Sequence, residues 1–317
     1  MRIVLTIQLL FFVVFLKAQD VHFSQFNTSK FTLNPALTGI QEDDFQLHAQ
    51  RKSQWGSVSD PFKTFSFSFY AKEYVFKKSI GLNFINDIAG ASNFKTTGLN
   101  ISISQNIIQE NSTLLAIGGL MGGFQRTLEY SSLIFIEEEP IVDESIFFLD
   151  FALGALYQRK INNMFFLESG VSIYHLNNPN QSFSSNITHK TPLKFNTHII
   201  YTHLITDKLQ SRYLGFLSKQ SSSQELIYGM DINYQINNSS KQDIRGMMGV
   251  YYRNKDAIIP NIGLVVNQFS FVMSYDVNVS ALSRASNNLG GFELSLAYQW
   301  SKIKKKSKNK FICPKYL

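Results

Sequence analysis

The strongest constraint in this sequence is an alternation of apolar and polar residues with period two. It is cleanest near the C-terminal end. From Phe269 to Val279 the odd positions read Phe269, Phe271, Met273, Tyr275, Val277 and Val279, with Ser270, Ser274, Asp276 and Asn278 between them. From Phe292 to Trp300 the even positions read Phe292, Leu294, Leu296, Tyr298 and Trp300. Period two means a strand with two unlike faces. A soluble sandwich turns the apolar face to a core, whereas a transmembrane barrel turns it to lipid and lines its lumen with the polar one. Composition separates the two cases. Phe (28) and Tyr (14) are abundant and charged residues make up only 17% of the chain. No stretch after Leu16 is long and apolar enough for a membrane helix, which needs roughly 20 residues. A barrel strand needs only about 10. The fold expected is all-β: an antiparallel transmembrane β-barrel.

Similar segments recur along the chain, centred on Ala49, Phe67, Leu82, Ile101, Gly119, Leu153, Val171, Ile199, Phe216, Met230, Val250, Ile262, Met273 and Leu296. That is about 14 strands, an even number as single-chain bacterial barrels require. Long connections are expected after odd strands, at 86–97, 126–146, 176–193 and 280–291. Short ones are expected after even strands, at 108–112, 160–164 and 267–268. Barrels carry short periplasmic turns and longer outer loops, so the N- and C-termini are both expected to be periplasmic.

The N-terminus reads as an export signal. Arg2 precedes an apolar run, Ile3–Leu16, that ends at Lys17-Ala18-Gln19-Asp20. The run is too short for a membrane anchor and suits a cleaved signal peptide. The chain then divides into a signal peptide (1–19), an N-terminal periplasmic or luminal segment (20–44), the barrel (45–300) and a basic periplasmic tail (301–317). The tail holds six lysines between Lys302 and Lys310, so most of the net charge of +7 is local. Cys313 stands alone, so no disulfide framework exists.

Little points to catalysis. His198 and His203 are five residues apart on one strand, hence on opposite faces, and cannot share a metal. The glycines of Gly118–Gly123 lack the Lys-Ser/Thr of a phosphate loop and suit close packing in a strand. Glu137–Glu139 with Asp143 and Glu144 read as a solvated acidic loop without calcium-loop spacing. No metal, cofactor or nucleic-acid partner is expected. An enzyme in the barrel would require a Ser–His pair within reach.

Several passages in order then resemble one family. They are Gln25-Phe26, Leu33-Asn34-Pro35-Ala36 with Gly39, Gln54-Trp55, the run His175-Leu-Asn177-Asn178-Pro179-Asn-Gln-Ser-Phe183, Tyr275-Asp276-Val277, Leu289–Leu296 and Cys313-Pro314. Together they resemble the PorP/SprF family of the type IX secretion system of Bacteroidetes. Lys52 stands where the family usually has Arg, which keeps the charge but loses the planar fork. The resemblance implies a non-enzymatic component of the bacterial outer membrane, in contact with its lipid. It further implies engagement of a large secreted adhesin or its C-terminal signal domain, contact with other periplasmic or lipoprotein components, and a link to gliding motility. The motif residues Asn34, Pro35, Lys52, Gln54, Trp55, His175, Asn177, Asn178, Pro179 and Asp276 are the candidate partner or structural positions. By residue physics alone, Asn34-Pro35 favours a turn, His175–Pro179 is dense in turn formers, and the polar lumen is either a plug-binding surface or wet. A passive porin is the alternative reading.

Overall fold

In the computed structural model, fourteen antiparallel strands close on themselves. The structure describes residues 20–302 apart from Trp55, 57–59, 91–93, 129–144, 184–187, 240–241, 281–282 and 287. The strands are β1 (Phe45–Gln54), β2 (Phe62–Val75), β3 (Lys78–Ala89), β4 (Phe94–Gln109), β5 (Thr113–Thr127), β6 (Ser145–Lys160) and β7 (Phe165–Tyr174), followed by β8 (Lys194–Leu204), β9 (Leu209–Gln220), β10 (Ser223–Asn238), β11 (Asp243–Arg253), β12 (Ala257–Val266), β13 (Phe269–Asn278) and β14 (Leu289–Trp300). Each pairs with its chain neighbours, and β1 closes on β14 with Phe45 opposite Trp300. All fourteen expected centres fall inside these strands. Closure leaves no unpaired edge, which a membrane requires of any sheet.

The alternation sorts cleanly. Phe269 is 62% exposed and its neighbour Ser270 only 7%, so the apolar face is outside, where lipid satisfies it. Phe65, Leu99, Ile101, Met248 and Ile262 share that outer face. Inside, polar side chains pair across strands: Asn83 donates to Ser66 at 2.7 Å and Ser68 at 3.0 Å, and accepts from Asn100 at 2.9 Å. At one end of the barrel Phe45, Phe69, Tyr298 and Trp300 stack on its outer surface, with Lys302 over Phe45, an arrangement suited to the lipid headgroup boundary.

The connections differ from expectation in two ways. Residues 86–97 do not form a long loop, because β3 and β4 remain paired to Ala89 and Phe94. Asn86 and Asp87 look like loop formers, but Asn86 donates to Thr97 at 2.9 Å and Asp87 accepts from Thr64 at 2.6 Å. Odd strands are also not always followed by long connections: 221–222 and 254–256 are tight turns. The long ones, 128–144, 175–193 and 279–288, do share one end of the barrel. We call it the loop end and the other the turn end.

Residues 20–44 lie inside the barrel. Every residue from Phe23 to Gln41 except Thr32 is buried. The segment begins at the loop end, where Asp20 meets His175 and Lys194. It runs through a one-turn helix α1 (Lys30–Leu33) and a 3-10 turn (Pro35–Leu37). It leaves at the turn end, where the Asp44 amide donates to Ser301. Asp20 and the end of β14 therefore lie at opposite mouths, because the N-terminal segment crosses the whole lumen before β1 begins; the two termini themselves lie outside the described residues.

The lumen that receives it is not uniformly polar. Phe26, Leu33, Ala36, Leu37 and Ile40 of the segment pack with Leu156, Ile200, Leu214, Phe216, Ile227, Tyr251 and Ile259 of the wall. An apolar patch, contributed by residues of β5 to β12, thus lies among the polar side chains of the inner wall. Hydrophobic burial, about 1.5–3 kcal/mol per large side chain, holds this internal plug against it.

Candidate functional site

The plug meets the wall at three places, and most candidate residues sit at one of them. The first is a seat for Asn34-Pro35. Asn34 is fully buried, accepts from the Ala36 amide at 2.9 Å as the cap of the 3-10 turn, and donates to the carbonyls of Ala155 (2.9 Å) and Val171 (3.2 Å). Pro35 begins that turn with its φ already suited to it. Wall side chains complete the seat: Ser172 donates to the Leu33 carbonyl at 2.7 Å and Tyr174 to the Phe31 carbonyl at 2.8 Å. The backbone approaches closely because the wall is glycine here. A Cβ on Gly118 would stand 2.6 Å from Pro35 and Ala36 backbone atoms, and one on Gly154 would stand 2.0 Å from the Asn34 side chain.

The second place is a buried charge cluster around Ser24 and Gln25. Both oxygens of Glu293 accept from the plug backbone, at 2.8 Å from Ser24 and 3.0 Å from Gln25. Arg253 donates to Asp276 at 2.9 Å and to the Ser24 hydroxyl at 2.6 Å, and that hydroxyl donates to Asp276 at 2.8 Å. Lys52 donates to the His22 carbonyl at 3.1 Å and lies 3.9 Å from Asp276 and 4.0 Å from Glu293. It therefore acts as a point charge between two carboxylates and makes no forked contact. Burial, with Lys52 and Arg253 beside it, pushes the His22 ring well below the usual histidine range, so it stays neutral.

The third place is a latch at the loop end. His175 Nε2 lies 2.6 Å from Asp20 and Nδ1 lies 3.0 Å from Asp150, while Lys194 lies 3.5 Å from Asp20. Burial alone would lower the His175 value, but the two carboxylates outweigh it and raise it to about 9. Burial would likewise raise the Asp20 carboxyl, yet Lys194 and then His175 hold it well below the usual carboxylate range. The latch is consequently pH-dependent with a definite sign. A raised folded-state value means its stabilisation is complete below the ordinary value of 6.5 and is lost as pH rises through about 9. Amide exchange over residues 20–28, compared at about pH 6 and about pH 10, is expected to quicken at high pH beyond its intrinsic rise. His175→Gln should lack this step; an identical step in that variant would refute the latch.

The rest of the His175–Pro179 run shapes the loop. His175 and Asn178 have φ of 61° and 44°, left-handed values that His and Asn tolerate better than most. Asn177 donates to the Leu149 carbonyl at 2.8 Å and Asn178 to the Thr191 carbonyl at 3.0 Å, while the Pro179 carbonyl accepts from Thr191 at 2.9 Å. Residues 175–183 thereby reach from β7 along the ends of β6 and β5 to β4, where Phe183 meets Phe94 at 6.1 Å. Gln54 ends β1 opposite Phe62 and Gly291, away from these clusters. Trp55, Glu137–Glu139, Asp143, Glu144, the signal region and the tail from residue 303 lie outside the described residues. His198 is buried in the lumen, whereas His203 stacks on Phe165 at 4.5 Å. Among the described residues no three His, Cys, Asp or Glu side chains could hold a metal together.

Sequence reasoning assigned no role to Ser24, Gln25, Arg253 or Glu293. Gln25 and Glu293 fell within the quoted motifs, and Glu293 on the inward face of β14 is the visible signal: a carboxylate there requires a partner.

Among curated proteins none matches the sequence significantly. Solved structures overlap it only as folds. The Pseudomonas putida toluene transporter TodX has a TM-score of 0.48 at 8% identity, covering 88% of this chain and 93% of its own. A Pseudomonas aeruginosa FadL homologue has 0.48 at 9%, covering 84% and 93%. The KdgM porin has 0.41 at 5%, covering 80% and 99%. The family described as type IX secretion system membrane protein PorP/SprF matches residues 15–298.

Proposed function

Since the chain belongs to the PorP/SprF family of type IX secretion system membrane proteins, we propose that it serves protein secretion as a non-catalytic docking barrel of the outer membrane. The observation that carries this reading is the filled lumen. With residues 23–41 packed inside, a partner is held at the mouths and is not conducted through. The idea that a partner's segment occupies the lumen gives way to the chain's own segment there. A passive porin has the same plug against it.

In this reading residues 1–19 are removed on export, which leaves the new N-terminus beside the His175 latch. The loop end faces outward, where residues 175–183 and 188–193 present a surface to a secreted adhesin or its C-terminal signal domain. The turn end and the basic tail face periplasmic or lipoprotein components of the machine. Support for gliding motility would follow if the cargo is a gliding adhesin.

A deletion strain is expected to lose one or a few large proteins from its surface while general export continues. The surface and medium proteomes measure this, with pull-down of the tagged barrel. A cysteine at position 207, in a background lacking Cys313, should resist an impermeant reagent on whole cells. An unchanged proteome with no co-purified secretion component would overturn the docking reading, and labelling at 207 would reverse the orientation.

A further inference from the structure

The outer face of the barrel is uneven at the loop end. Arg51 on β1, Lys63 on β2 and Lys95 on β4 all point outward and are exposed. Register places them together. Arg51 stands opposite Phe65, two residues along β2 from Lys63. Lys63 stands opposite Ile88, and Ile88 opposite Lys95. Diagonal neighbours on paired strands lie about 7–8 Å apart, and alternate strands about 10 Å apart. Three long side chains can therefore converge on one group.

Their charge is not cancelled. None of the three makes an ion pair among the described residues. In this half of the barrel no Asp or Glu of the described strands faces outward. Asp87 turns in to Thr64 at 2.6 Å, Glu225 pairs with Arg253, and Asp150, Asp276 and Glu293 are buried in the lumen. Asp60, exposed in the β1–β2 connection, offsets one of the three cations, and two remain. Elsewhere the outward residues nearest the loop end are apolar, as Ile173, Phe195, Ile258 and Val277 show, and Lys219 on β9 is the single strand cation on that side. The positive charge is thus gathered on β1 to β4.

The patch is also layered from mid-barrel outward. Phe65, Phe67, Leu82, Phe84, Leu99 and Ile101 form an exposed apolar field. Next comes a layer of amides and hydroxyls, in which Asn86 donates to Thr97 and Gln125 to Ser145, both at 2.9 Å. Lys63 and Lys95 follow, and Arg51 stands at the edge of the apolar field. A charge on a lipid-facing strand costs more the deeper it lies, so Arg51 is tolerated where the membrane brings an anion to it.

We infer that this face binds the phosphorylated headgroup of a glycolipid of the lipopolysaccharide class. Acyl chains lie on the apolar field, sugar hydroxyls and amides meet the polar layer, and a phosphate sits among the cations. Arg51 offers the phosphate a planar fork, and the two lysines act as point charges. A phospholipid brings the phosphate without the sugar and leaves the polar layer unmatched. The patch adjoins Phe94, on which Phe183 packs, so a bound headgroup borders the surface offered to secreted cargo. The inference rests on the outward orientation of the loop end and adds a lipid partner to the docking barrel.

The test uses the full-length protein in detergent, with retained lipid counted by native mass spectrometry. The probes are diphosphoryl lipid A, the same lipid A dephosphorylated, and phosphatidylglycerol. Diphosphoryl lipid A should be retained in preference to both others. Arg51→Gln with Lys63→Gln and Lys95→Gln is expected to weaken its retention by about tenfold or more. Lys63→Arg with Lys95→Arg keeps the charge and should retain it, and Lys219→Gln should leave it unchanged. Heat-modifiable gel migration confirms that the variants remain folded barrels. Equal retention of the dephosphorylated lipid or of phosphatidylglycerol, retention of none, or unchanged retention by the folded triple variant would each overturn the inference. Any of these alongside intact pull-down of secretion components removes the lipid site and leaves the docking reading. Selective retention of lipid A alongside unchanged secretion in the deletion strain removes the docking reading instead. Labelling of a cysteine at 207 on whole cells would put the patch in the periplasmic leaflet and overturn the glycolipid assignment.

Discussion

A chain lacking residues 22–41 is expected to conduct ions across a planar bilayer, whereas the full chain shows no discrete conductance steps. Eight strands already give an interior that side chains can fill, and barrels of about 16–18 strands leave an aqueous channel. Fourteen strands fall between, so the wall's own side chains do not close this lumen and the N-terminal segment must. The deletion removes Phe26, Leu33, Leu37 and Ile40 from the apolar patch of the wall, each worth about 1.5–3 kcal/mol of burial. It also strips Ser24 and Gln25 from Glu293 and Asp276. Those carboxylates then face water in an open lumen beside Lys52 and Arg253, which balance them, so the open pore is expected to discriminate little between cations and anions. Stability should fall together with closure. A milder variant guards against misfolding: Gly118→Leu forces side-chain atoms into Pro35 and Ala36, so it should unseat the turn and give partial conductance. Steps of equal size in the full chain and in both variants would show that the plug closes nothing.

The outer face was far more legible than the inner one. Lipid imposes one rule on every outward position, so Phe65, Phe67 and Phe69 or Leu99, Ile101 and Ile103 announce their strands without knowledge of any partner. The inner face obeys no such rule, because its occupant comes from a segment as many as 270 residues away, as Ser295 meeting Gln25 shows. A signal was nonetheless present. Strand β9 reads Tyr213-Leu-Gly-Phe-Leu217, apolar on both faces, and Ile227 and Ile259 break the polar face of their strands in the same way. In a wet lumen Leu214 and Phe216 would be a cost; they make sense only if apolar chain fills the interior. The spacing of Leu33, Leu37 and Ile40 before the first strand supplies that chain. Lys52 and Asp276 were recognisable as inward charges. Arg253, at the end of its strand, looks like an ordinary loop cation until Asp276, Glu225 and Asp256 are seen around it.

Asp231→Ala is expected to be the most destabilising single substitution in the wall. Arg212 is 2% exposed and grips Asp231 through two parallel bonds, Nε to Oδ1 at 2.7 Å and Nη2 to Oδ2 at 2.8 Å. Tyr251 and Asn233 donate to the same carboxylate at 2.9 and 2.8 Å. Removing the acid leaves a guanidinium and a phenol buried without their acceptor, a loss of about 3–5 kcal/mol. The attraction itself is not the source of that figure, since desolvation offsets much of it. The double variant Arg212→Met with Asp231→Ala should therefore recover most of the loss, because it removes the stranded charge as well. Denaturant unfolding in lipid, followed by heat-modifiable migration, measures all three proteins. Losses that simply add in the double variant would mean that the two residues do not act as a pair. The consequence reaches the plug, because Tyr251 also lies 6.2 Å from the ring of Phe26, which stacks on Phe216 at 5.1 Å. With Asp231 gone, Tyr251 loses the bond that fixes its ring and Phe26 loses part of its seat. Folded Asp231→Ala protein should accordingly show flickering conductance of the kind expected when the plug is shortened, and the double variant, with its wall repacked, should show less.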